Sequence, residues 1–207
     1  MALEARDNRI SRRSWLMAGL ALPLSRLRGA AGLTVTFDGD NLHLGVPGLH
    51  FLSGKALERL KDAATVVFLS QITLFTDELQ TVFRRAPERV IVSYDLWEER
   101  FAVAIPGITL RQTHLTSAQA ENWCIENLAI SALGLAPDRP FWMRFELRTA
   151  TPRELSSVMG DSGLSLSALV EIFSRKPGAD DPYWVRTAGP LRLADLPRVL
   201  ARGARNG

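Results

Sequence analysis

Eleven consecutive residues constrain this chain more than any others. Thr65-Val66-Val67-Phe68-Leu69-Ser70-Gln71-Ile72-Thr73-Leu74-Phe75 is rich in branched and aromatic side chains, and both of its alternating sets are largely apolar. Side chains of a strand point alternately to opposite faces, so this run predicts a central strand covered on both sides. A strand or loop over Leu79 to Arg85 leads from it to a turn at Ala86-Pro87-Glu88. Arg89 to Leu96 then sets Val90, Val92, Tyr94 and Leu96 on one face and Arg89, Ser93 and Asp95 on the other. Its hairpin partner, Phe101 to Ile105, alternates in the same way. The connections are too short for parallel crossovers, which makes the run an antiparallel meander. Phe141 to Arg148 has the cleanest alternation of all: Phe141, Met143, Phe145 and Leu147 inward, Trp142, Arg144, Glu146 and Arg148 outward, toward water or a polar partner, with a covered face the simpler reading for Trp142.

The flanking segments predict smaller pieces. Leu33 to Phe37 alternates as a strand, and Asp38-Gly39-Asp40-Asn41 is a turn sequence. Gly45, Pro47 and Gly48 interrupt the next run, Leu42 to Phe51, as in a hairpin or an irregular edge strand. Ser53 stands as N-cap to a short helix, Lys55 to Ala63, with Leu57 and Leu60 on one face. Thr116-Ser117-Ala118-Gln119 fits a capping box opening a helix to Leu133, with Cys124, Ile125, Leu128 and Ala132 as its buried stripe and Gly134 as its C-terminal cap. Leu166, Leu169, Val170 and Phe173 recur at helical spacing within Ser165 to Arg175, a helix able to pack on its own sheet or on a partner. Tyr183 to Thr187 reads as a short strand and residues 198–207 as a polar tail. The expectation is one α+β domain over 32–197, an antiparallel β-sheet (a meander, or sandwich-like) with about three packed helices.

The first 31 residues read as a leader. Arg6, Arg9, Arg12 and Arg13 precede the apolar run Leu16 to Leu24, which is too short to span a membrane and contains Pro23. Ser11-Arg12-Arg13-Ser14-Trp15-Leu16-Met17 resembles the twin-arginine export signal, with Trp15 in place of Phe and Met17 in place of Lys. Arg12 and Arg13 are its candidate export residues, and Gly29-Ala30-Ala31 places cleavage after Ala31. The resemblance implies a periplasmic destination, or an inner-membrane tether if the leader stays attached. It also changes the meaning of the charge. The chain holds 25 Lys+Arg and 22 Asp+Glu, of which residues 1–31 hold six and two, leaving 19 basic against 20 acidic groups. A near-neutral remainder argues against nucleic acid as a partner. The lone Cys124 excludes an intramolecular disulfide and reads as a small core residue.

Arg89-Val90-Ile91-Val92-Ser93-Tyr94-Asp95-Leu96, followed by Phe101-Ala102-Val103, is similar to the signature of the domain of unknown function 4390 family, small exported bacterial proteins. Ser93, Tyr94 and Leu96 match the pattern, and Phe101 stands where the family has Tyr. The resemblance extends over Leu33 to Arg148. It implies a compartment and a fold but no reaction, because the family has no assigned activity.

Candidate chemistry is sparse. Gly160-Asp161-Ser162-Gly163 copies the nucleophile loop of chymotrypsin-like proteases, but Leu164 follows and His43, His50 and His114 lack the matching context; turn and cap chemistry explains the stretch. Asp38, Asp40, His43 and His50 are the only metal candidates, two carboxylates and two imidazoles in a short span. Against them, Asp38 and Asp40 already serve a turn, and His50 lies among apolar residues. No cofactor motif is present, and no catalytic residue is assigned. The expected function is a non-enzymatic accessory module of the cell envelope that binds a protein partner through an exposed sheet edge or the late helix. The alternative is a hydrolase or metal-dependent enzyme with an unfamiliar site, and a third reading is a subunit of a membrane complex.

Overall fold

The computed structural model describes residues 32–151, 154, 173 and 182–199. Among these, β1 (Thr34–Phe37), β2 (Asn41–Gly45) and β7 (Ala129–Ser131) form a small antiparallel sheet in the order β1-β2-β7. The main sheet runs β6-β5-β4-β3-β8-β9, with β3 (Val66–Phe75), β4 (Val82–Asp95), β5 (Arg100–Ile105), β6 (Leu110–Leu115), β8 (Phe141–Thr149) and β9 (Tyr183–Leu191), every neighbouring pair antiparallel. Helix α1 (Gly54–Lys61) lies between β2 and β3 in the chain, and α2 (Ser117–Glu126) between β6 and β7. The expected antiparallel sheet with packed helices is therefore present. The third expected helix, Ser165 to Arg175, lies outside the described residues apart from Phe173, as do the leader of residues 1–31, with Arg12 and Arg13, and Gly160 to Gly163.

The apolar run at 65–75 becomes the centre of the sheet. All ten residues of β3 are buried, with β4 on one side and β8 on the other. On its first face Val66, Phe68, Ile72 and Leu74 join Val90, Val92, Phe141, Met143 and Phe145 in one core. The small sheet and both helices close over that face through Leu42, Leu44, Ile130, Leu60, Cys124 and Ile125. Burying side chains of this kind contributes roughly 1.5–3 kcal/mol each, so this face carries the fold. The second face is different: its apolar cluster has three buried residues, Val67, Leu69 and Ala150, with Ile91 and Phe173 packed beside them.

Several expected boundaries move. The turn at Ala86-Pro87-Glu88 does not form, and β4 runs unbroken through it. Its pairing with β5 begins only at Ile91, so Pro87 occupies a stretch with a partner on one side, the sheet context that tolerates proline. The capping box at Thr116 forms, with Thr116 N donating to Gln119 Oε1 at 2.9 Å and Gln119 N to Thr116 Oγ1 at 3.4 Å. That helix ends at Glu126 rather than Leu133, because Leu128, Ile130 and Ala132 serve a strand period as well as a helical one and the chain turns to pair β7 with β2. β2 is accordingly central in its sheet, not an edge. β6 is an additional strand, and β9 runs on to Leu191. Ser53 stands at the N-cap of α1, but its hydroxyl donates to His50 O rather than capping the helix. The start of the expected tail is held: Phe37 N donates to Pro197 O and Val199 N to Phe37 O, each at 3.0 Å. Residues 200–207 lie outside the described residues.

Two glycines separate backbone strain from steric conflict. Gly189 has φ +145 and a Cβ there would collide with Trp142 Cδ1, whereas Gly48 has φ +76 and open space. Gly48→Ala should cost about 1 kcal/mol of backbone strain, and Gly189→Ala clearly more, because Trp142 must also move. Equilibrium denaturation of both variants measures the difference.

Candidate functional site

Strand pairing arranges the second face of the main sheet in three rows. Arg89, Leu69, Arg148 and Tyr183 lie side by side across β4, β3, β8 and β9; Pro87, Gln71, Glu146 and Val185 form the next row; Arg85, Thr73, Arg144 and Thr187 form the third. The alternation of β8 thus places its charged set beside the polar positions of β3. The expectation that this set faces outward holds for Trp142 and Arg144, which are half-buried. Glu146 and Arg148 lie on the same face but meet polar partners instead of water, and are 9% and 5% exposed. Buried charges survive only when paired, and these are. Arg148 Nη2 lies 2.6 Å from Glu154 Oε1, with its guanidinium 5.6 Å from the Phe173 ring centroid. Thr151 N donates to the other Glu154 oxygen at 2.8 Å.

Glu146 is held from two sides. Tyr183 Oη donates to its Oε1 at 2.5 Å and Gln71 Nε2 to its Oε2 at 3.4 Å. Burial, and then this bond to a carboxylate, push the Tyr183 phenol well above its ordinary range, so it stays a donor. The bond from Nε2 fixes the amide of Gln71 and leaves its Oε1 buried without a donor. Arg148 Nε is the other such atom among the described residues. Beside Gln71 opens a cleft of about 280 Å³, lined by Thr73, Phe75, Arg85, Arg144, Glu146 and Phe173. The Arg144 guanidinium lies 5.3 Å from the Phe75 ring centroid. Arg85 is exposed and pairs with no carboxylate among the described residues. The chemistry on offer among the described lining residues is hydrogen bonding, two positive charges and the carboxylate of Glu146, with no histidine or cysteine among them.

Both edges of the main sheet are blunted. At β6 a bulge sets Thr113 and His114 opposite Ala102, with His114 at φ 60; at β9 another sets Gly189 and Pro190 opposite Trp142. Bulges and proline are devices that discourage strand addition.

The metal candidates divide. Asp38 Oδ1 accepts from Asp40 N and Asn41 N at 2.9 and 2.6 Å, the expected turn chemistry, and Oδ2 meets His43 Nε2 at 2.8 Å. His50 instead meets Glu121 of α2, with Nδ1 3.1 Å from Oε2. Glu121 is 3% exposed and its Oε1 accepts from Leu52 N at 2.7 Å, tying the loop after β2 to α2. Among the described residues, no three His, Cys, Asp or Glu side chains are grouped to hold a metal ion. His114 bridges Thr113 Oγ1 at 2.9 Å and Glu98 Oε2 at 3.0 Å, the connectivity of a nucleophile, base and acid. Its side chain and that of Glu98 are 69% and 52% exposed, so water screens a relay that enzymes keep buried. Cys124 is buried, and burial pushes its thiol up to about 12, so it is unreactive.

Sequence reasoning missed Gln71, Arg148, Glu154, Tyr183 and Glu121 as partners. Its available signal was Gln71 and Thr73, polar residues in the same alternating set as Val67, Leu69 and Phe75. No family model matches the chain, and no curated protein or solved structure matches it either.

Burial alone would raise the Glu154 carboxyl, but its bonds from Thr151 and Arg148 outweigh this and hold it below the usual range. A folded pKa below the unfolded one stabilises at pH above the unfolded value, and that gain is lost as pH falls through the folded value. Glu154→Gln should therefore cost about 3 kcal/mol at pH 7, by breaking a buried pair, and the gap to wild type should narrow as the pH falls below the ordinary carboxylate range and close once the lower folded value is passed. Urea denaturation at pH 7 and pH 3 checks both parts.

Proposed function

We propose that this chain is an exported, non-enzymatic binding module of the cell envelope, and that it recognises its partner on the second face of the main sheet rather than at a sheet edge. One observation carries this reading: a cleft on the middle strands of the sheet is lined by two arginines and by Gln71, whose Oε1 is buried without a partner, while both edges are blunted. A half-satisfied polar group in a protein's most buried strand is costly to the fold, which favours a role in recognition. Export rests on the resemblance of Ser11 to Met17 to a twin-arginine signal. Kinship with the domain of unknown function 4390 family is supported by its signature residues: Tyr94 and Phe101 are cross-strand partners with ring centroids 4.8 Å apart. A third helix over 165–175 is supported by Phe173, one of its four apolar positions, packing against the Val67 and Leu69 cluster. Among the described residues, no helix is long and apolar enough to cross a membrane.

Affinity capture of the tagged protein from fractionated cells tests this. The wild type should come from the envelope fraction with a stoichiometric partner. The Arg85→Glu/Arg144→Glu double variant should lose that partner at least tenfold, and Leu110→Lys on the β6 edge should keep it. Loss through Leu110→Lys alone would return recognition to the edge. A stoichiometric metal or chromophore in the purified protein would favour the enzyme alternative.

A further inference from the structure

We propose that the cleft is a carboxylate-binding subsite, taking an acidic side chain of a partner polypeptide; this rests on the cleft being the recognition surface. Arg85 and Arg144 flank Thr73 as its cross-strand partners on either side. Their backbones are therefore about 10 Å apart, two strand spacings, and both side chains line the same cleft. Two guanidinium forks at that separation can close on one planar anion placed between them. The two are not equivalent. Arg144 rests against the Phe75 ring, which orients its fork, whereas Arg85 is exposed and has no carboxylate partner among the described residues.

Charge selects the anion. Among the described residues that line the cleft, two arginines stand against one carboxylate, Glu146, a net charge of +1. A monoanion neutralises it, whereas a phosphate dianion would leave excess negative charge beside Glu146. Gln71 then selects the context of the carboxylate. The residue is 5% exposed, its amide is anchored by Nε2 on Glu146, and its Oε1 needs a donor. An acidic residue within a polypeptide supplies both parts, a carboxylate for the arginines and a backbone N–H for Gln71 once its sealed Oε1 turns toward the cleft. At about 280 Å³ the cleft suits a single residue better than a larger ligand. The Phe75 and Phe173 rings wall it, lowering the local dielectric and strengthening charge-assisted bonds inside.

The test follows the arginine Nε–Hε NMR signals of the full chain during titration with N-acetylglutamate amide, N-acetylglutamine amide and inorganic phosphate. The expected result is saturable shifts of Arg85 and Arg144 with the glutamate probe at millimolar concentration, and at least tenfold weaker binding of the glutamine probe and of phosphate. Arg85→Gln, at an exposed position, should weaken glutamate binding about tenfold, and Gln71→Leu severalfold, each with an unchanged circular dichroism spectrum. Equal binding of the glutamine probe, or tighter binding of phosphate, would overturn the carboxylate assignment and leave the cleft as recognition surface. No shift with any probe would overturn the subsite, and partner loss in the Arg85→Glu/Arg144→Glu capture would then decide separately whether the face itself is used.

Discussion

The whole fold hangs on β3 being paired on both sides and buried on both faces. Its ladders to β4 and β8 satisfy the backbone, and its first-face residues, Val66, Phe68, Ile72 and Leu74, anchor a core that draws in both helices and the small sheet. With so much apolar burial on one face, the other is released from that duty. Gln71 and Thr73 occupy positions where leucine or valine would pack, and β8 answers them with Glu146 and Arg144.

That substitution of polarity for packing has a physical cost which the network only partly offsets. Glu146 is satisfied by Tyr183 and Gln71, and Arg148 by Glu154 and the Phe173 ring. One amide oxygen and one guanidinium nitrogen are left over. An unpaired buried polar atom costs about 1–3 kcal/mol, a sizeable fraction of the net stability of a small domain. Its position beside a cleft lined by two arginines joins the energetic anomaly to a chemical one, and the proposed function accounts for both together.

What was legible from sequence follows from the range of the interactions. The β3 run, the alternation of β8, the turn at Asp38 and the capping box at Thr116 are local patterns, and each is found where its residues stand. Pro87 misled because a proline inside a strand depends on how far the neighbouring strand extends, which is a tertiary matter. The α2 boundary misled because Leu128, Ile130 and Ala132 satisfy two periods, and pairing with β2 decides between them. The site was hidden for a stronger reason. Gln71 meets Glu146 from 75 residues away, Tyr183 meets Glu146 from 37, and His50 meets Glu121 from 71. No spacing rule reaches across such separations.

If Gln71 serves recognition at the expense of the fold, replacing it with leucine should leave the protein at least as stable. Leucine removes the orphaned acceptor and fills a buried position in the sheet; it gives up only the long 3.4 Å bond to Glu146 Oε2, while Tyr183 continues to hold Oε1. Equilibrium unfolding in urea should give a midpoint equal to or above that of the wild type with an unchanged slope. A loss of more than about 1 kcal/mol, the net worth of an ordinary hydrogen bond, would show instead that Gln71 is there to hold the sheet together.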